Sequence, residues 1–166
     1  MNALQQDMGQ PAAENRIMMQ TSRFGEIAVD PARVISMISP FLGFPESMRF
    51  MLKAHGPNSP FMWLQSLDNP QLAFVVIRAA LLDLRVKLEI PRQILKNLRI
   101  TSDNDKDILL ILTIPKDNPR DMTANLLGPI VLNSGERLAA QVVLDPQKYD
   151  PCWRVFGDTG VKGLRG

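Results

Sequence analysis

The chain has 166 residues, 45% of them hydrophobic and 22% charged, which predicts one folded domain and excludes a disordered chain. Nineteen basic and seventeen acidic side chains leave a formal net charge of +2, too little for the electrostatic grip on phosphates that nucleic-acid binding requires. The single cysteine, Cys152, excludes an internal disulfide and favours a reducing compartment.

The two ends of the chain are poor in apolar side chains. Residues 1–16 are small and polar, and residues 157–166 are rich in glycine, so we expect flexible tails around a domain at 17–156. No signal-peptide pattern opens the sequence, and no apolar stretch approaches the roughly 20 residues of a membrane span. We therefore expect a cytoplasmic protein that makes no membrane contact.

Short apolar runs separated by turn residues dominate the domain. They lie at 17–20, 26–29, 34–38, 48–52, 61–67, 72–77, 108–114, 122–125, 130–132 and 141–144. Prolines lie between the runs or at their edges, where a missing N–H breaks no ladder. The pattern predicts a mainly β protein, a small antiparallel barrel or sandwich with one or two short helices.

Two turns and two central strands are also predicted. Residues 22–25 and 67–70 have the composition of tight reversals, so the strands on either side of each should pair antiparallel. Residues 74–77 and 108–112 are continuously apolar, as expected for strands covered on both faces. They should form the centre of the core.

Helical spacing is confined to short segments. Pro91 suits a first helical position, and Ile90, Ile94, Leu95 and Leu98 share one face, which predicts a helix of about two turns at 91–98. Residues 79–82 predict a brief helical turn before an extended stretch at 84–88.

No catalytic or metal-binding pattern emerges. The only histidine, His55, lies in a turn-rich stretch, and Cys152 beside Trp153 is expected to be a packing residue. Residues 103–107 resemble the start of a calcium loop, but Ile108 and Ile114 stand where glycine and glutamate are needed, so a solvated turn is predicted. We expect no cofactor, no metal and no enzymatic activity.

An RNA-binding barrel is the alternative from a different class of function. Basic residues could line a face near Phe24 or Phe50; they are Arg23, Arg49, Lys53, Arg85, Lys87, Arg92, Lys96 and Arg99. Acidic residues interrupt this set, and few aromatic residues remain for base stacking once the core is filled.

Three stretches, at 21–27, 60–77 and 122–133, are similar to the flagellar assembly factor FliW family. The longest reads Pro-Phe-Met-Trp-Leu-Gln-Ser-Leu-Asp-Asn-Pro-Gln-Leu-Ala-Phe-Val-Val-Ile. Residues 42–45 and 141–144, with Tyr149, continue the resemblance, which covers about residues 17–150 in the family's order. The chain departs from the family pattern at Pro40-Phe41, Arg78-Ala79, Val86 and residues 151–154. We expect these departures not to disturb the core strands.

The resemblance implies a β-rich, barrel-like domain that binds the carbon storage regulator CsrA, a translational repressor of flagellin messenger RNA, and relieves that repression. It also implies flagellin as a second, competing partner. We expect direct protein contacts with CsrA, because a basic chain is a poor mimic of RNA, no direct nucleic-acid binding, and a monomer in the absence of partners.

Six residues are candidates for partner binding. Gln65, Asn125 and Gln141 are polar within apolar strands, so each must be hydrogen-bonded internally or face a partner. Phe44 and Trp63 are candidate interface anchors. For Trp63, which lies between Met62 and Leu64, partly buried packing is the alternative. Asn69 is either a partner contact or a turn former.

Overall fold

The computed structural model describes residues 15–157. The predicted tails lie almost entirely outside this range, at 1–14 and 158–166, so the predicted domain boundaries stay predictions. Within the described range the chain forms eleven strands and one α helix. Their bounds are β1 Ile17–Thr21, β2 Gly25–Val29, β3 Ile35–Met37, β4 Arg49–Ala54, β5 Phe61–Ser66, β6 Ala73–Arg78, α1 Arg92–Asn97, β7 Lys106–Thr113, β8 Thr123–Ala124, β9 Ile130–Asn133, β10 Leu138–Gln141 and β11 Trp153–Arg154.

Seven of the strands close into a barrel. Strands β3 to β7 form an antiparallel meander, β7 also pairs with β9, and β9 pairs with β10. Strand β10 returns to β3 as a parallel pair. A ring with an odd number of strands cannot be antiparallel throughout, so one parallel pair is required for closure. The prediction of a mainly β, barrel-like domain is confirmed.

The remaining strands lie outside the barrel. Strands β1 and β2 form a separate antiparallel hairpin, and β8 and β11 extend the sheet beside the end of β7. Both predicted reversals are confirmed: residues 22–25 join β1 to β2 and residues 67–70 join β5 to β6.

The barrel interior is filled by alternate residues of its strands, because successive side chains of a strand point to opposite faces. Every barrel strand contributes to this inner core. Its members are Ile35, Met37, Phe41, Phe50, Leu64, Val76, Leu109, Ile130, Leu132 and Ala139.

A second core covers the outer face of one side of the barrel. Ile77 and Leu110 alternate with the inner residues Val76 and Leu109, and pack against α1 and the segments that follow β8 and β10. The outer core also contains Leu98, Leu126, Val131, Ala140, Val142, Tyr149 and Val155. Strands β6 and β7 are therefore buried on both faces, which confirms the prediction for residues 74–77 and 108–112.

The strand pairings give the barrel two different ends. At one end β3 and β10 begin and β4 and β6 end, with Arg33, Arg78 and Arg137 at these positions; we call it the arginine end. At the other end β3 and β10 end and β6 begins, and residues 38–47 follow β3. We call this the phenylalanine end, because Phe41 and Phe44 lie there against Phe74.

The helical predictions are confirmed and two others are wrong. Helix α1 lies within the predicted 91–98, and Ala79–Leu81 forms a 3₁₀ turn. The predicted strand at 141–144 is instead Leu138–Gln141, because Val142 and Leu144 donate to the carbonyls of Pro129 and Leu127 in a loop. Cys152 is exposed rather than packed. The stretch at 84–88 forms no strand, and residues 85 and 86 are bends.

Candidate functional site

The phenylalanine end is closed by an aromatic stack. Phe41 is 2% exposed, and its ring stacks on Phe74 with 5.1 Å between centroids. Phe44 lies edge-on to Phe74 at 5.5 Å, and its N–H donates to the carbonyl of Phe41 at 3.0 Å. Gly43 has a φ of 82°, a conformation that glycine adopts readily and that permits this tight return. Phe41 therefore seals the barrel, whereas Phe44 stays partly outside.

Four large apolar side chains stay in contact with solvent at this end. Their exposed fractions are 39% for Ile38, 57% for Leu42, 39% for Phe44 and 59% for Val143. We call these four residues the apolar patch. Grouped apolar side chains on a surface are typical of protein–protein contact sites. The patch is therefore the strongest candidate binding surface in the described residues.

Two amides lie beneath the patch. Oε1 of Gln141 accepts a hydrogen bond from the N–H of Leu42 at 3.1 Å, and its Nε2 donates to the carbonyl of Gly128 at 3.3 Å. Oδ1 of Asn125 accepts from the N–H groups of Leu127 and Gly128 at 3.0 and 3.1 Å. Both amides are hydrogen-bonded internally, and any contact between them and a partner stays a prediction.

The β5–β6 turn is held together by Gln65 and Asn69. Gln65 is 0% exposed and donates to the carbonyls of Ser66, Pro70 and Leu72. It supports the turn from within, so its position does not favour a direct partner contact. Asn69 is exposed, and its Oδ1 accepts from the N–H of Gln71 at 3.0 Å. Asn69 thus forms the turn and also stays accessible.

The same turn carries Asp68, which sequence reasoning missed. Its Oδ2 accepts from the N–H groups of Met48 and Arg49, both at 2.8 Å, and its Oδ1 accepts from the Arg49 guanidinium. Burial raises the pKa of Asp68, but the hydrogen bonds from Arg49 and Met48 and the charge of Arg49 outweigh it and leave this pKa below its ordinary value. No local pattern connects residues 19 positions apart, so only the pairing of β4 with β5 reveals this link.

Trp63 belongs to a different cluster. It lies on the outer face of β5, with Cζ of Arg23 at 4.4 Å from the ring centroid and the Phe24 ring edge-on at 5.6 Å. The exposed His55 stacks against it at 5.9 Å. The structure thus brings Phe44 and Gln141 together at the phenylalanine end but leaves Trp63 beside the β1–β2 hairpin.

Neither a metal-binding cluster nor a membrane-spanning helix occurs among the described residues. In residues 15–157, no group of three or more His, Cys, Asp or Glu side chains is placed to hold a metal ion. In the same range, no helix has the length and apolar character needed to cross a membrane.

The fold and the apolar patch define a small closed β barrel with a surface suited to contact with other proteins. A family model described as FliW protein matches residues 18–152. The chain is 40% identical over 131 residues to the flagellar assembly factor FliW of Geobacter sulfurreducens, covering 78% of this chain and 80% of that protein. It is 33% identical over 146 residues to that of Leptospira interrogans serovar copenhageni, covering 88% and 97%.

A crystal structure of the flagellar assembly factor FliW matches the barrel with a TM-score of 0.78 at 30% identity. The match covers 87% of this chain and all of that chain. The chain belongs to the FliW family, and the relatives it matches are named flagellar assembly factors. The resemblance seen in the sequence is confirmed.

Proposed function

We propose that the chain is a flagellar assembly factor that binds the translational regulator CsrA and relieves its repression of flagellin messenger RNA. Flagellin is the second partner, and each partner weakens the binding of the other. The observation that carries this proposal is the family match over residues 18–152. Translation takes place in the cytoplasm, so the proposal places the protein there.

The apolar patch is the surface that we propose for partner contact. Leu42 and Phe44 are large and exposed, and Gln141 and the aromatic stack beneath hold their backbone in place. A rigid apolar surface loses little conformational entropy on binding, which favours affinity. Asn125 lies beside this surface through Gly128, whereas Trp63 and Asn69 are secondary candidates.

Contact with CsrA is proposed to be direct and apolar, not an imitation of RNA. A chain with a net charge of +2 is a poor mimic of a polyanion such as RNA. Binding through the patch should therefore depend weakly on salt. A dissociation constant that rises steeply with salt, together with competition by RNA for the same CsrA surface, would contradict this mode.

Calorimetry with CsrA and with flagellin tests the proposal. Leu42→Ser removes apolar area from the patch, and Leu81→Ser is the matched control, because Leu81 is 42% exposed and follows β6 at the arginine end. We expect Leu42→Ser to lower the affinity for the partner that contacts the patch about tenfold or more, as for an interface anchor. Leu81→Ser should leave the affinities for both partners unchanged.

Each failure has a different meaning. Binding of neither partner by the unmodified protein would remove the proposed function. If Leu42→Ser and Leu81→Ser changed the affinities equally, the proposed function would stand, but the apolar patch would be excluded as the binding site.

A single-stranded RNA binder remains the second candidate because of the cluster around Trp63. Arg23, Lys53, Phe24 and Trp63 place cations over aromatic rings, a combination that also binds unpaired bases. A gel shift with flagellin leader RNA separates the two functions. The first proposal predicts no shift without CsrA, and a shift that is lost in Trp63→Leu would support the second.

A further inference from the structure

A cavity of about 440 Å³ lies at the arginine end of the barrel. Ala28 and Val29 of the β1–β2 hairpin form one wall, and Leu52, Ala54 and Met62 of β4 and β5 form another. This volume is within the range of small-molecule sites, roughly 300–1,000 Å³. The cavity is separate from the apolar patch, which lies at the opposite end of the barrel.

Arginines give this cavity its charge. Arg16, Arg33, Arg78 and Arg137 line it, and Asp30 is the acidic residue among its lining residues. Arg78 forms a salt bridge to Asp107 at 2.8 Å, and Oδ1 of Asp30 accepts from the N–H of Ala32. Four guanidinium groups thus face two carboxylates, which leaves an excess of two positive charges.

Three of the four arginines lack an acidic partner. Among residues 15–157, the salt bridges that form involve Arg49, Arg78, Arg99, Lys106 and Arg154, and not Arg16, Arg33 or Arg137. Like charges held together without counterions repel one another. The fold maintains this arrangement at the rim because Arg33 precedes β3 and Arg137 precedes β10, and those two strands pair side by side.

Arg137 is the most constrained of the four. Its φ of 58° places a non-glycine residue in the left-handed region, which is uncommon and is concentrated at functional sites. One Nη donates to the carbonyl of Arg33 at 2.8 Å, while Nε is buried and has no acceptor among the described residues. Burial and, after it, the charge of Arg33 lower the pKa of Arg137.

We propose that this cavity binds the phosphate group of a small molecule. Planar guanidinium groups bind phosphate oxygens through paired hydrogen bonds, and the two excess positive charges match a phosphate dianion. The buried Nε of Arg137 lacks the acceptor that such a ligand supplies. The apolar walls at Met51, Leu52 and Met62 provide contact for an organic group attached to the phosphate. This site does not depend on the proposed exchange between CsrA and flagellin.

Calorimetry at constant ionic strength tests the site with three probes: inorganic phosphate, phenyl phosphate and succinate. The variants are Arg33→Gln and Arg137→Gln. Arg120→Gln is the control, because Arg120 is exposed on the segment between β7 and β8 and its removal changes the net charge equally. Near-ultraviolet circular dichroism checks the fold of each variant. If Arg137→Gln unfolds the protein, Arg33→Gln alone tests the phosphate site. The Arg33 side chain forms no hydrogen bond or salt bridge within the described residues, so we expect this variant to fold.

We expect inorganic phosphate or phenyl phosphate to bind saturably. The affinity should fall about tenfold in the Arg33 and Arg137 variants and stay unchanged in the Arg120 variant. Tighter binding of phenyl phosphate identifies a phosphorylated organic ligand, and equal binding identifies free phosphate. Absence of saturation with both phosphate probes, equal loss in the control, or succinate binding as tight as that of phosphate would overturn the proposal.

Discussion

Gln141 and Leu42 are 99 positions apart, yet Oε1 of Gln141 accepts a 3.1 Å hydrogen bond from the N–H of Leu42. Gln141 is the last residue of β10, and Leu42 lies in the loop that carries most of the apolar patch. The barrel therefore fixes the loop through a side chain. This hydrogen bond ties the exposed apolar loop to the barrel wall without the help of a partner.

Gln141→Ala is expected to destabilise the protein and to weaken partner binding. It leaves the N–H of Leu42 and the carbonyl of Gly128 without their partners, at a cost of about 1–2 kcal/mol. Equilibrium unfolding in urea measures the loss. Gln147→Ala is the control, because Gln147 is exposed and no hydrogen bond of its side chain is seen in residues 15–157. Equal stability of the two variants would show that the Gln141 contacts do not hold the loop.

Phe41→Ala should mainly reduce stability, whereas Phe44→Ala should mainly reduce partner binding. Phe41 is buried against Phe50 and Phe74, so its truncation should cost about 3–5 kcal/mol of unfolding free energy. Phe44 is 39% exposed, so its truncation should cost about 1 kcal/mol but weaken partner binding. Urea unfolding and calorimetry on both variants separate the two roles. A larger stability loss for Phe44→Ala would contradict the assignment of Phe41 as the residue that seals the barrel.

Tyr149→Phe tests how the segment after the 3₁₀ turn Ala79–Leu81 is attached to the outer core. The buried hydroxyl of Tyr149 donates to the carbonyl of Lys87 at 2.9 Å and accepts from the N–H of Glu89 at 3.1 Å. Its removal leaves both backbone groups without a partner, so we expect a loss of about 1–3 kcal/mol and faster hydrogen exchange at the Glu89 amide. Unchanged exchange at Glu89 would mean that other contacts hold this segment.

Asp68 should make stability depend on pH in the acid range. Its lowered pKa in the folded state means that its contribution is complete above about pH 3.9, the ordinary value for aspartate, and is lost as the pH falls through the lowered pKa. The difference in stability between the unmodified protein and Asp68→Asn should therefore be largest near neutral pH and shrink towards about pH 2.

Urea unfolding across this pH range measures the effect of Asp68. Asp117→Asn is the control, because Asp117 is exposed and forms no salt bridge among the described residues. A difference for Asp68→Asn that stays constant with pH would show that the hydrogen bonds from Met48 and Arg49 do not favour the charged carboxylate.

The local sequence pattern predicts most of the strands but not the pairing that closes them into a barrel. The apolar runs predict which faces of β5, β6 and β7 are buried. They do so because each buried position of a strand is filled by an apolar side chain. The parallel pairing of β10 with β3 brings residue 138 beside residue 36, and no local spacing encodes such a contact. For the same reason the arginine end, formed by Arg33, Arg78 and Arg137, was not apparent from the sequence.

Tertiary contacts also explain why the strand predicted at 141–144 is wrong. The residues after Gln141 look like a strand, but their N–H groups bond to the loop at 127–129 instead of a neighbouring strand. The two-residue strand β11 is too short to leave a pattern. For the candidate site, the polar character of Gln141 and Gln65 marked both residues, and only the fold showed that one lies under the patch and the other inside a turn.

Titration of flagellin into a preformed complex with CsrA tests the proposed exchange of the two partners on this protein. We expect flagellin to release CsrA from the complex in a saturable manner. We also expect Leu42→Ser to alter the exchange and Leu81→Ser to leave it unchanged. A stable complex of all three proteins, in which flagellin leaves the affinity for CsrA unchanged, would contradict the proposed exchange.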